Sequence, residues 1–409
     1  MRIAEPLRLP CGAVLPNRIA KAAMSEELAA LRGYPSEPLE RLYRTWAEGG
    51  TGLLVTGNVM IDPTHLESPR NVTLEKGRDL APFRAWAKAG RVPGSHLWMQ
   101  INHTGRQTPR FVNKEPVAPS AVPAVKLLKG FAHPRALRED EIPATIARYG
   151  EAAAMAREAG FTGVQIHGAH GYLCAQFLSP LTNLRTDAWG GSLENRARFL
   201  RETVKDVRRR VGADFPIGVK LNSADFQRGG FDETESMEVV RMLERDGVDL
   251  LEISGGNYEN PAMFDLAESS RHREAYFLDY AKKVRKLSRI PLMVTGGFRS
   301  LSVMEEALAS DALDVVGMAR PLALEPDLPK RLFEGRSTGS TSVPRRFGVG
   351  HPNLEYFAEG GYYLAQMGRL ARGLPANPEL GSYRAMAAFV AQQVRDVLAA
   401  RRGELHHAG

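Results

Sequence analysis

The chain has 409 residues, of which 43% are hydrophobic and 25% are charged. These values are typical of a soluble globular protein, and they exclude a collagen-like chain, a disordered tail and a small disulfide-rich scaffold. The net charge of +7 comes from basic residues spread along the chain among acidic ones, so we expect no nucleic-acid partner, while the modest positive field suits small anionic ligands such as phosphates.

Short β-rich runs recur along the chain, and a helical pattern follows most of them. Several runs are continuously apolar, which is typical of parallel strands buried on both faces of a sheet. The eight predicted strands are residues 19–23, 52–56, 96–101, 163–167, 216–221, 249–254, 291–295 and 314–318. Eight βα units in a row predict an α/β protein built as a single (β/α)8 TIM barrel. A doubly wound open sheet is the alternative, but its Gly-rich fingerprint is missing after the first strand.

Helical patterns and two insertions complete the predicted organisation. The predicted helices are residues 38–48, 79–89, 141–159, 193–211, 235–245, 274–287, 301–308 and, near the C-terminus, 354–372 and 383–402. Loop-like insertions at 103–138 and 168–192 lie at the end of the barrel that carries active-site loops. We expect the barrel to occupy residues 1–335. Residues 336–409 are predicted to be a linker and a C-terminal helical extension, packed on the barrel or at a subunit interface of a homo-oligomer.

Cysteine use and hydropathy restrict the class of protein further. The chain has two cysteines, Cys11 and Cys174, and no Cys-x-x-Cys motif, which excludes a cysteine-ligated iron–sulfur cluster and a zinc ribbon. It shows no signal peptide and no run of 18 apolar residues, so we predict no membrane span. With so few cysteines, this pattern indicates a cytoplasmic protein.

The segment after the fourth strand is the densest in chemistry-bearing residues, since it holds His167, His170 and Tyr172 in a Gly-rich loop. Three interpretations compete. The two histidines could bind the metal of a barrel hydrolase or lyase, although no matching carboxylate motif is present. They could be structural. We favour a third hypothesis, in which both imidazoles donate hydrogen bonds to a substrate oxygen that gains charge, and Tyr172 donates a proton.

Other candidate site residues also follow predicted strands. Gly296 and Gly297 after the seventh strand, with Ala319 and Arg320 after the eighth, form the barrel corner that frequently binds phosphate. Lys220 on the fifth strand is costly inside a barrel unless it is used, either in a Schiff base or as a positive charge beside an electron-rich ring. Gln100 offers a carboxamide to the edge of a planar heterocycle. Met24 and Ser25 would cover another side of such a ring.

Together these residues resemble the old yellow enzyme family of FMN-dependent ene-reductases. The matching segments are Leu15-Pro-Asn-Arg-Ile19, Ala22-Ala-Met-Ser25, Gln100 with His103-Thr-Gly-Arg106, and the highly specific run from His167 to Arg198. The resemblance covers about residues 1–335. It implies an eight-stranded barrel that binds FMN non-covalently, and a cycle in which NADPH or NADH reduces FMN and leaves before an activated alkene is reduced.

The resemblance also implies a role for each candidate residue. Ala23, Met24, Ser25 and Gly57 would line the flavin, Gln100 and Lys220 would contact its pyrimidine end, and Gly296, Gly297, Ala319 and Arg320 would hold its phosphate. His167 and His170 would bind the carbonyl or nitro oxygen of the alkene, and Tyr172 would be the proton donor. The binding partners implied are a nicotinamide cofactor and a small-molecule alkene.

Three departures from the family pattern bear on these expectations. Ser25 stands where relatives have Thr or Cys, so the resemblance does not fix the reduction potential of the flavin. Glu27 stands where some members have a substrate-binding tyrosine, so we expect either a more polar pocket or another aromatic residue in that role. The cysteine count and the length predict neither the iron–sulfur site nor the second nucleotide domain of larger relatives. Amine oxidation or N-demethylation by the same flavin site stays open as a second function.

Overall fold

The computed structural model describes residues 1–92, 94–126, 130–259, 274–342, 347–348 and 352–401. Parts of the predicted linker, residues 343–346 and 349–351, and the last residue of the predicted final helix, 402, lie outside the described residues.

Eight parallel strands form a closed barrel. They are β1 Ile19–Lys21, β2 Leu53–Met60, β3 His96–Asn102, β4 Gly163–Gly168, β5 Ile217–Asn222, β6 Leu250–Ser254, β7 Leu292–Thr295 and β8 Val315–Met318. Each strand pairs with the next in chain order, and β1 pairs with both β2 and β8, which closes the ring. The predicted (β/α)8 TIM barrel is confirmed, and the open-sheet alternative is wrong.

Helices follow or flank the strands. They are α1 Glu37–Glu48, α2 Ala81–Ala89, α3 Glu141–Glu158, α4 Leu173–Leu178, α5 Leu193–Val211, α6 Glu233–Arg245, α7 Leu278–Arg285, α8 Leu301–Ala309, α9 Arg320–Leu324, α10 Leu328–Phe333, α11 Pro352–Ala371 and α12 Ser382–Arg401. Local sequence signals determine where α1 begins. The Ser36 side chain accepts a hydrogen bond from the Leu39 amide at 3.2 Å, and Pro38 lies in the first turn of the helix.

The N-terminal segment packs into the amino end of the barrel. Residues Leu7–Arg8 and Val14–Leu15 pair as a short antiparallel hairpin. Leucines of this segment pack in one buried cluster with Trp98, Leu250 and Val315 from the barrel strands. Because this apolar plug fills the amino end, the carboxyl ends of the strands are left for a ligand site, as in other barrels of this type.

The two insertions contain more regular structure than their sequence indicates. Helix α4 lies within residues 168–192, which we predicted to be a loop. All six of its residues are buried, so it lacks the polar face whose spacing would mark a helix in the sequence. The insertion at 103–138 contributes a small parallel strand pair, Val117–Ala118 with Arg135–Ala136.

The C-terminal helices contact the barrel layer directly. Arg41 on α1 donates to the carbonyl of Ala371 at the end of α11, at 3.3 Å. Nε of Arg70, in the loop after β2, lies 2.9 Å from Oδ1 of the buried Asp396 on α12. In the described part of the chain, every helix is too short or too polar to cross a membrane.

Phe199 tests how much the packing between α4 and α5 contributes to stability. Its ring is fully buried and stacks on Phe177, with ring centroids 4.2 Å apart. We expect Phe199→Ala to lower the free energy of unfolding by about 3–5 kcal/mol, because truncating a buried ring leaves a cavity. Leu184→Ala, at a side chain 64% exposed, is the control and should change it by less than about 0.5 kcal/mol. Denaturant unfolding curves compare the two, and similar values would contradict this view of the packing.

Candidate active site

A cavity of about 500 Å³ opens at the carboxyl ends of the barrel strands. Twelve of the residues predicted from the sequence line it: Ala23, Met24, Ser25, Gln100, His167, His170, Tyr172, Lys220, Gly296, Gly297, Ala319 and Arg320. The structure therefore brings together residues that are up to 297 positions apart in the sequence, from Ala23 to Arg320. Their convergence follows from the barrel, because the carboxyl ends of its strands meet around one opening.

Gly57 is placed differently from the other predicted residues. It lies on β2 behind the cavity wall, where its amide donates to Oε1 of Glu26 and to the hydroxyl of Tyr43, both at 3.0 Å. A Cβ atom at this position would lie 2.4 Å from the backbone oxygen of Met24, so only glycine fits here. The structure gives Gly57 a structural role, and its packing against a flavin stays a prediction.

The two histidines of the dense segment face each other across the cavity wall, with ring centroids 5.0 Å apart. Nδ1 of His167 accepts the amide of Ala169 at 3.2 Å, so the proton of the neutral ring is on Nε2. Nε2 of His170 lies 2.7 Å from Oγ of Ser254. Burial, with a contribution from the charge of Lys220, holds the pKa of both imidazoles well below the ordinary value. Both rings are therefore neutral hydrogen-bonding groups near pH 7.

Lys220 belongs to a polar network inside the barrel. Its Nζ lies 3.1 Å from Oε1 of the fully buried Glu252. Gln165 donates to the other oxygen of Glu252 at 2.8 Å, and Gln100 donates to Gln165 at 2.7 Å. Thr295 donates to Oε1 of Glu252 at 2.7 Å. These bonds compensate the burial of an ion pair and hold a positive charge at the cavity floor.

Tyr172 is buried, with 3% of its surface exposed. Its ring lies edge-on to His167 at 4.8 Å between centroids. Its hydroxyl oxygen lies 2.8 Å from that of Tyr258, a residue of the loop after β6. The side chain of Asn58 lies 3.4 Å from the same hydroxyl. Tyr172 therefore stands beside the histidine pair with its hydroxyl in a hydrogen-bonded group.

The predicted phosphate corner contains the expected backbone and one unexpected carboxylate. Gly296 and Gly297 have φ angles of 141° and 82°, a region that favours glycine. The ring of Tyr276 packs against both. Arg320 begins the short helix α9, and its Nη1 lies 3.0 Å from Oε1 of Glu359 on α11. Arg320 is thus held at the corner by the C-terminal extension.

Helices α11 and α12 form part of the cavity wall, which no motif indicated. Their side chains at this wall are Glu359, Tyr363, Leu364, Met367, Phe389 and Gln393. Nε2 of Gln393 donates to Oε2 of Glu27 at 2.8 Å. Burial, followed by the charges of Glu67 and Asp396, raises the pKa of Glu27 to about 8. Glu27 is therefore mostly protonated at neutral pH, and it places a polar group at this side of the pocket.

A second group of potential metal ligands lies outside the cavity lining. Within the described residues, Asp62, His65 and His103 place one ligand atom each within 4.8 Å of one another, whereas His167 and His170 belong to no such group. His103 accepts the Gly105 amide on Nδ1 at 3.0 Å, so its other nitrogen carries the proton that faces Asp62. Nη1 of Arg148 also lies 2.5 Å from this carboxylate. Protons and a guanidinium already surround the carboxylate, which favours a hydrogen-bonded cluster over a metal site.

Comparison with known proteins identifies the family. A model described as the NADH:flavin oxidoreductase / NADH oxidase family matches residues 3–339. The NADH-dependent flavin oxidoreductase nadA of Aspergillus parasiticus is 41% identical over 342 residues, covering 80% of this chain and 77% of the relative. The chain belongs to the NADH:flavin oxidoreductase family.

Two further matches define the extent of the similarity. The structure of the old yellow enzyme homologue from Zymomonas mobilis has a TM-score of 0.71 at 27% identity, covering 84% of this chain and 95% of that one. The NADH-dependent flavin oxidoreductase iliE of Neonectria sp. is 38% identical over 359 residues, which are 81% of this chain. This chain spans 47% of the length of that relative. The resemblance to old yellow enzymes is confirmed, as are FMN and a nicotinamide as the cofactors of this oxidoreductase.

Several residues of the cavity were missed by sequence reasoning. Among them are Asn58, Glu67, Ser254, Tyr258, Tyr276 and the six side chains from α11 and α12. Asn58 and Ser254 stand at the carboxyl ends of β2 and β6, so the rule that found the other residues could have found them. Glu67 and Tyr258 lie in loops and carry no motif, so only the fold reveals them.

The buried carboxyl group of Glu27 predicts a pH dependence of stability. Its pKa is about 8 in the folded protein and 4.5 in a model peptide, so between these values the unfolded chain loses a proton that the folded protein keeps. Rising pH therefore destabilises the fold across this window. We expect Glu27→Gln to be more stable than the wild type by more than about 1 kcal/mol at pH 8, with the difference vanishing near pH 4.5 and below.

Unfolding free energies measured from pH 4 to pH 9 test this expectation. Glu139→Gln, at an exposed carboxylate, is the matched control and should follow the wild-type profile. A Glu27→Gln difference that stays constant with pH would show that the carboxyl group is not protonated in the folded protein.

Proposed function

We propose that the protein is an FMN-dependent ene-reductase. It takes hydride from a nicotinamide, for which NADH is the candidate suggested by the names of its relatives, and reduces the C=C bond of α,β-unsaturated carbonyl or nitro compounds. The nicotinamide and the alkene would use one site in turn, a ping-pong cycle. The observation that carries the proposal is a neutral histidine pair and a tyrosine hydroxyl at one wall of a cavity whose other walls suit a flavin.

The residues of the cavity fit FMN. Gln100 and Lys220 offer a carboxamide and a positive charge at the cavity floor, and Arg320 with the Gly296-Gly297 backbone offers donors at the opposite corner. Among the described residues, Oδ1 of Asn58 is buried without a hydrogen-bond partner, and Asn58 lines the cavity. A bound ligand with an N–H group would satisfy it. Bound FMN would supply hydride chemistry, which amino-acid side chains lack.

The histidine pair would bind the electron-withdrawing group of the alkene. Because the pKa of each ring is held low, each imidazole donates a neutral N–H instead of a full positive charge. For His167 the donating atom is Nε2, since Nδ1 is occupied by the Ala169 amide. Preorganised donors of this kind stabilise the negative charge that develops on the substrate oxygen, and they lose no energy to solvent reorganisation.

Tyr172 would donate the proton that completes alkene reduction. Its hydroxyl is buried next to the histidine pair, so a substrate held by the histidines is within its reach. A positioned general acid typically contributes about 10²–10⁴-fold to the rate of such a step.

The C-terminal extension would complete the pocket. We propose that residues 1–335 form the FMN-binding barrel and that residues 336–409 form a linker and a helical cover, whose helices α11 and α12 supply cavity side chains from the same chain. Two contacts support this proposal, because each joins a C-terminal helix to a barrel residue of the cavity. They are the ion pair between Arg320 and Glu359 and the hydrogen bond between Gln393 and Glu27. We also propose that the same helices contribute to the subunit interface of a homo-oligomer.

Purified protein should be yellow and should lose its flavin absorbance anaerobically when NADH is added. Cyclohexenone or a maleimide should then restore the absorbance. NADPH should be titrated in parallel to establish the preferred nucleotide. Reduction by an amine but not by either nucleotide would favour the amine-oxidation alternative, and a colourless protein that cannot be reconstituted with FMN would contradict the whole proposal.

Tyr172→Phe separates the two halves of the cycle. We expect it to slow alkene reduction by about 10²–10⁴-fold, because it removes the general acid, and to leave flavin reduction by NADH nearly unchanged. Stopped-flow absorbance measures each half-reaction on its own. An equal loss in both would show that Tyr172 is not the proton donor.

His167→Ala combined with His170→Ala tests the anion site. A phenol bound over the flavin imitates the substrate oxygen, and its charge-transfer band reports binding. We expect the double variant to bind the phenol about 10²–10⁴-fold more weakly, because it removes two hydrogen bonds to a charged oxygen and each contributes about 1.5–3 kcal/mol. An unchanged dissociation constant for the phenol would show that the two histidines do not bind the substrate oxygen.

A further inference from the structure

The hydroxyl of Tyr172 begins a chain of hydrogen bonds along the cavity lining. Its oxygen lies 2.8 Å from the hydroxyl oxygen of Tyr258, and Tyr258 donates to Oε1 of Glu67 at 3.2 Å. Because Tyr258 has one hydroxyl proton and gives it to Glu67, the proton between the two phenols comes from Tyr172. The chain is therefore aligned in one direction, from Tyr172 through Tyr258 to a carboxylate.

Glu67 is held in place for this contact. Its other oxygen, Oε2, accepts a hydrogen bond from Ser25 at 2.7 Å and one from Asn58 at 2.9 Å. The loop that carries Glu67 is fixed as well, since the side chain of Asn71 accepts its amide at 2.8 Å. With Oε2 taken, Oε1 is the oxygen that faces Tyr258. Glu67 is only half-buried, whereas Tyr172 is buried.

A buried proton donor must be reprotonated once in every turnover. If Tyr172 gives its proton to a substrate carbon, a phenolate is left on a side chain that is only 3% exposed, which is costly unless a donor is at hand. Tyr258 is a hydroxyl within hydrogen-bond distance of that oxygen. Its own proton can then be replaced from Glu67, a half-buried carboxyl group to which it is hydrogen-bonded.

We propose that Tyr258 and Glu67 form a proton relay that restores the proton of Tyr172; this inference rests on the proposed proton-donor role of Tyr172. The hydroxyl proton of Tyr258 moves to the Tyr172 phenolate, the Glu67 carboxylate takes a proton from water, and that proton moves on to Tyr258, which leaves Glu67 a carboxylate again. One proton enters from solvent for each proton that the substrate carbon receives. No electrons move in these steps, and all three groups return to their starting state.

The relay also links the two sides of the pocket through one carboxylate. Ser25, which the family resemblance places beside the flavin, donates to Glu67 at 2.7 Å. When Glu67 carries a proton, it accepts this hydrogen bond less strongly, since hydrogen bonds to a charged acceptor are roughly twice as strong. The protonation state of the relay would then be sensed by Ser25, a position where relatives have a different residue.

Tyr258→Phe and Glu67→Gln test the relay in the FMN-loaded enzyme. Tyr172 keeps its proton at the start in both variants, so a single turnover of alkene reduction should stay within about threefold of the wild-type rate. Steady-state turnover should fall by at least about tenfold, because each later cycle waits for reprotonation. A group that merely orients Tyr172 would instead slow the single turnover and the steady state equally. That outcome would overturn the relay, and so would an unchanged steady-state rate.

A second measurement requires neither alkene nor nicotinamide. Tyrosine labelled with carbon-13 at Cζ reports exchange of the hydroxyl hydrogen with deuterated solvent by NMR. Exchange at Tyr172 should be at least about tenfold slower in both variants than in the wild type, since the path to solvent is broken. Tyr280→Phe is the control, because it removes another buried hydroxyl that donates to Ser236, and it should leave exchange at Tyr172 unchanged. Unchanged exchange in Tyr258→Phe would refute the relay.

The two measurements fail in different ways. If the wild-type enzyme reduces no alkene, the proposed function is wrong, while hydroxyl exchange still decides whether Tyr172 is connected to solvent through Tyr258 and Glu67. If the wild type reduces alkenes and Tyr172→Phe is slow, but exchange at Tyr172 is the same in every variant, the relay alone is wrong.

Discussion

The ion pair between Lys220 and Glu252 is the interaction on which the site depends. The two side chains lie 3.1 Å apart in the barrel, almost completely shielded from solvent, and removal of either one would leave an uncompensated buried charge. Strand register makes the pair possible, because Lys220 lies beside Glu252 on one neighbouring strand and beside His167 on the other. A shift of one residue along β5 would turn Lys220 away from both. The same register therefore fixes the charge at the cavity floor and the position of the first histidine.

That constraint explains why the histidines can work as neutral donors. A lysine charge close to two imidazoles opposes their protonation, and burial acts in the same direction and more strongly. Glu252 offsets the cost of burying the lysine, while Gln165 and Thr295 satisfy the remaining carboxylate positions. The site thus separates its charges: a paired cation lies at the floor, neutral donors lie on one wall, and the carboxyl groups of Glu27 and Glu67 lie on another.

The barrel and much of its site could be predicted because their signals are local. Continuous apolar runs placed all eight strands to within a few residues, as with 163–167 against Gly163–Gly168. Candidate residues then followed from a single rule, that side chains at the carboxyl ends of barrel strands converge. Helix α4 escaped prediction because all of its faces are buried. The cavity contacts from α11 and α12 escaped because amphipathic spacing shows that a helix packs but does not show on which surface.

Glu27 and Glu67 show why roles within a site need the folded structure. In the sequence they are two glutamates forty positions apart, and neither belongs to a motif. In the structure Glu67 accepts hydrogen bonds from Ser25, Asn58 and Tyr258, whereas burial and the charge of Glu67 raise the pKa of Glu27 to about 8. The environment of Glu27 thus favours its protonated form, while the contacts of Glu67 with these three side chains are hydrogen bonds that it accepts. Glu27 therefore does more than make this wall polar, because its proton limits the negative charge on the wall that also carries Glu67.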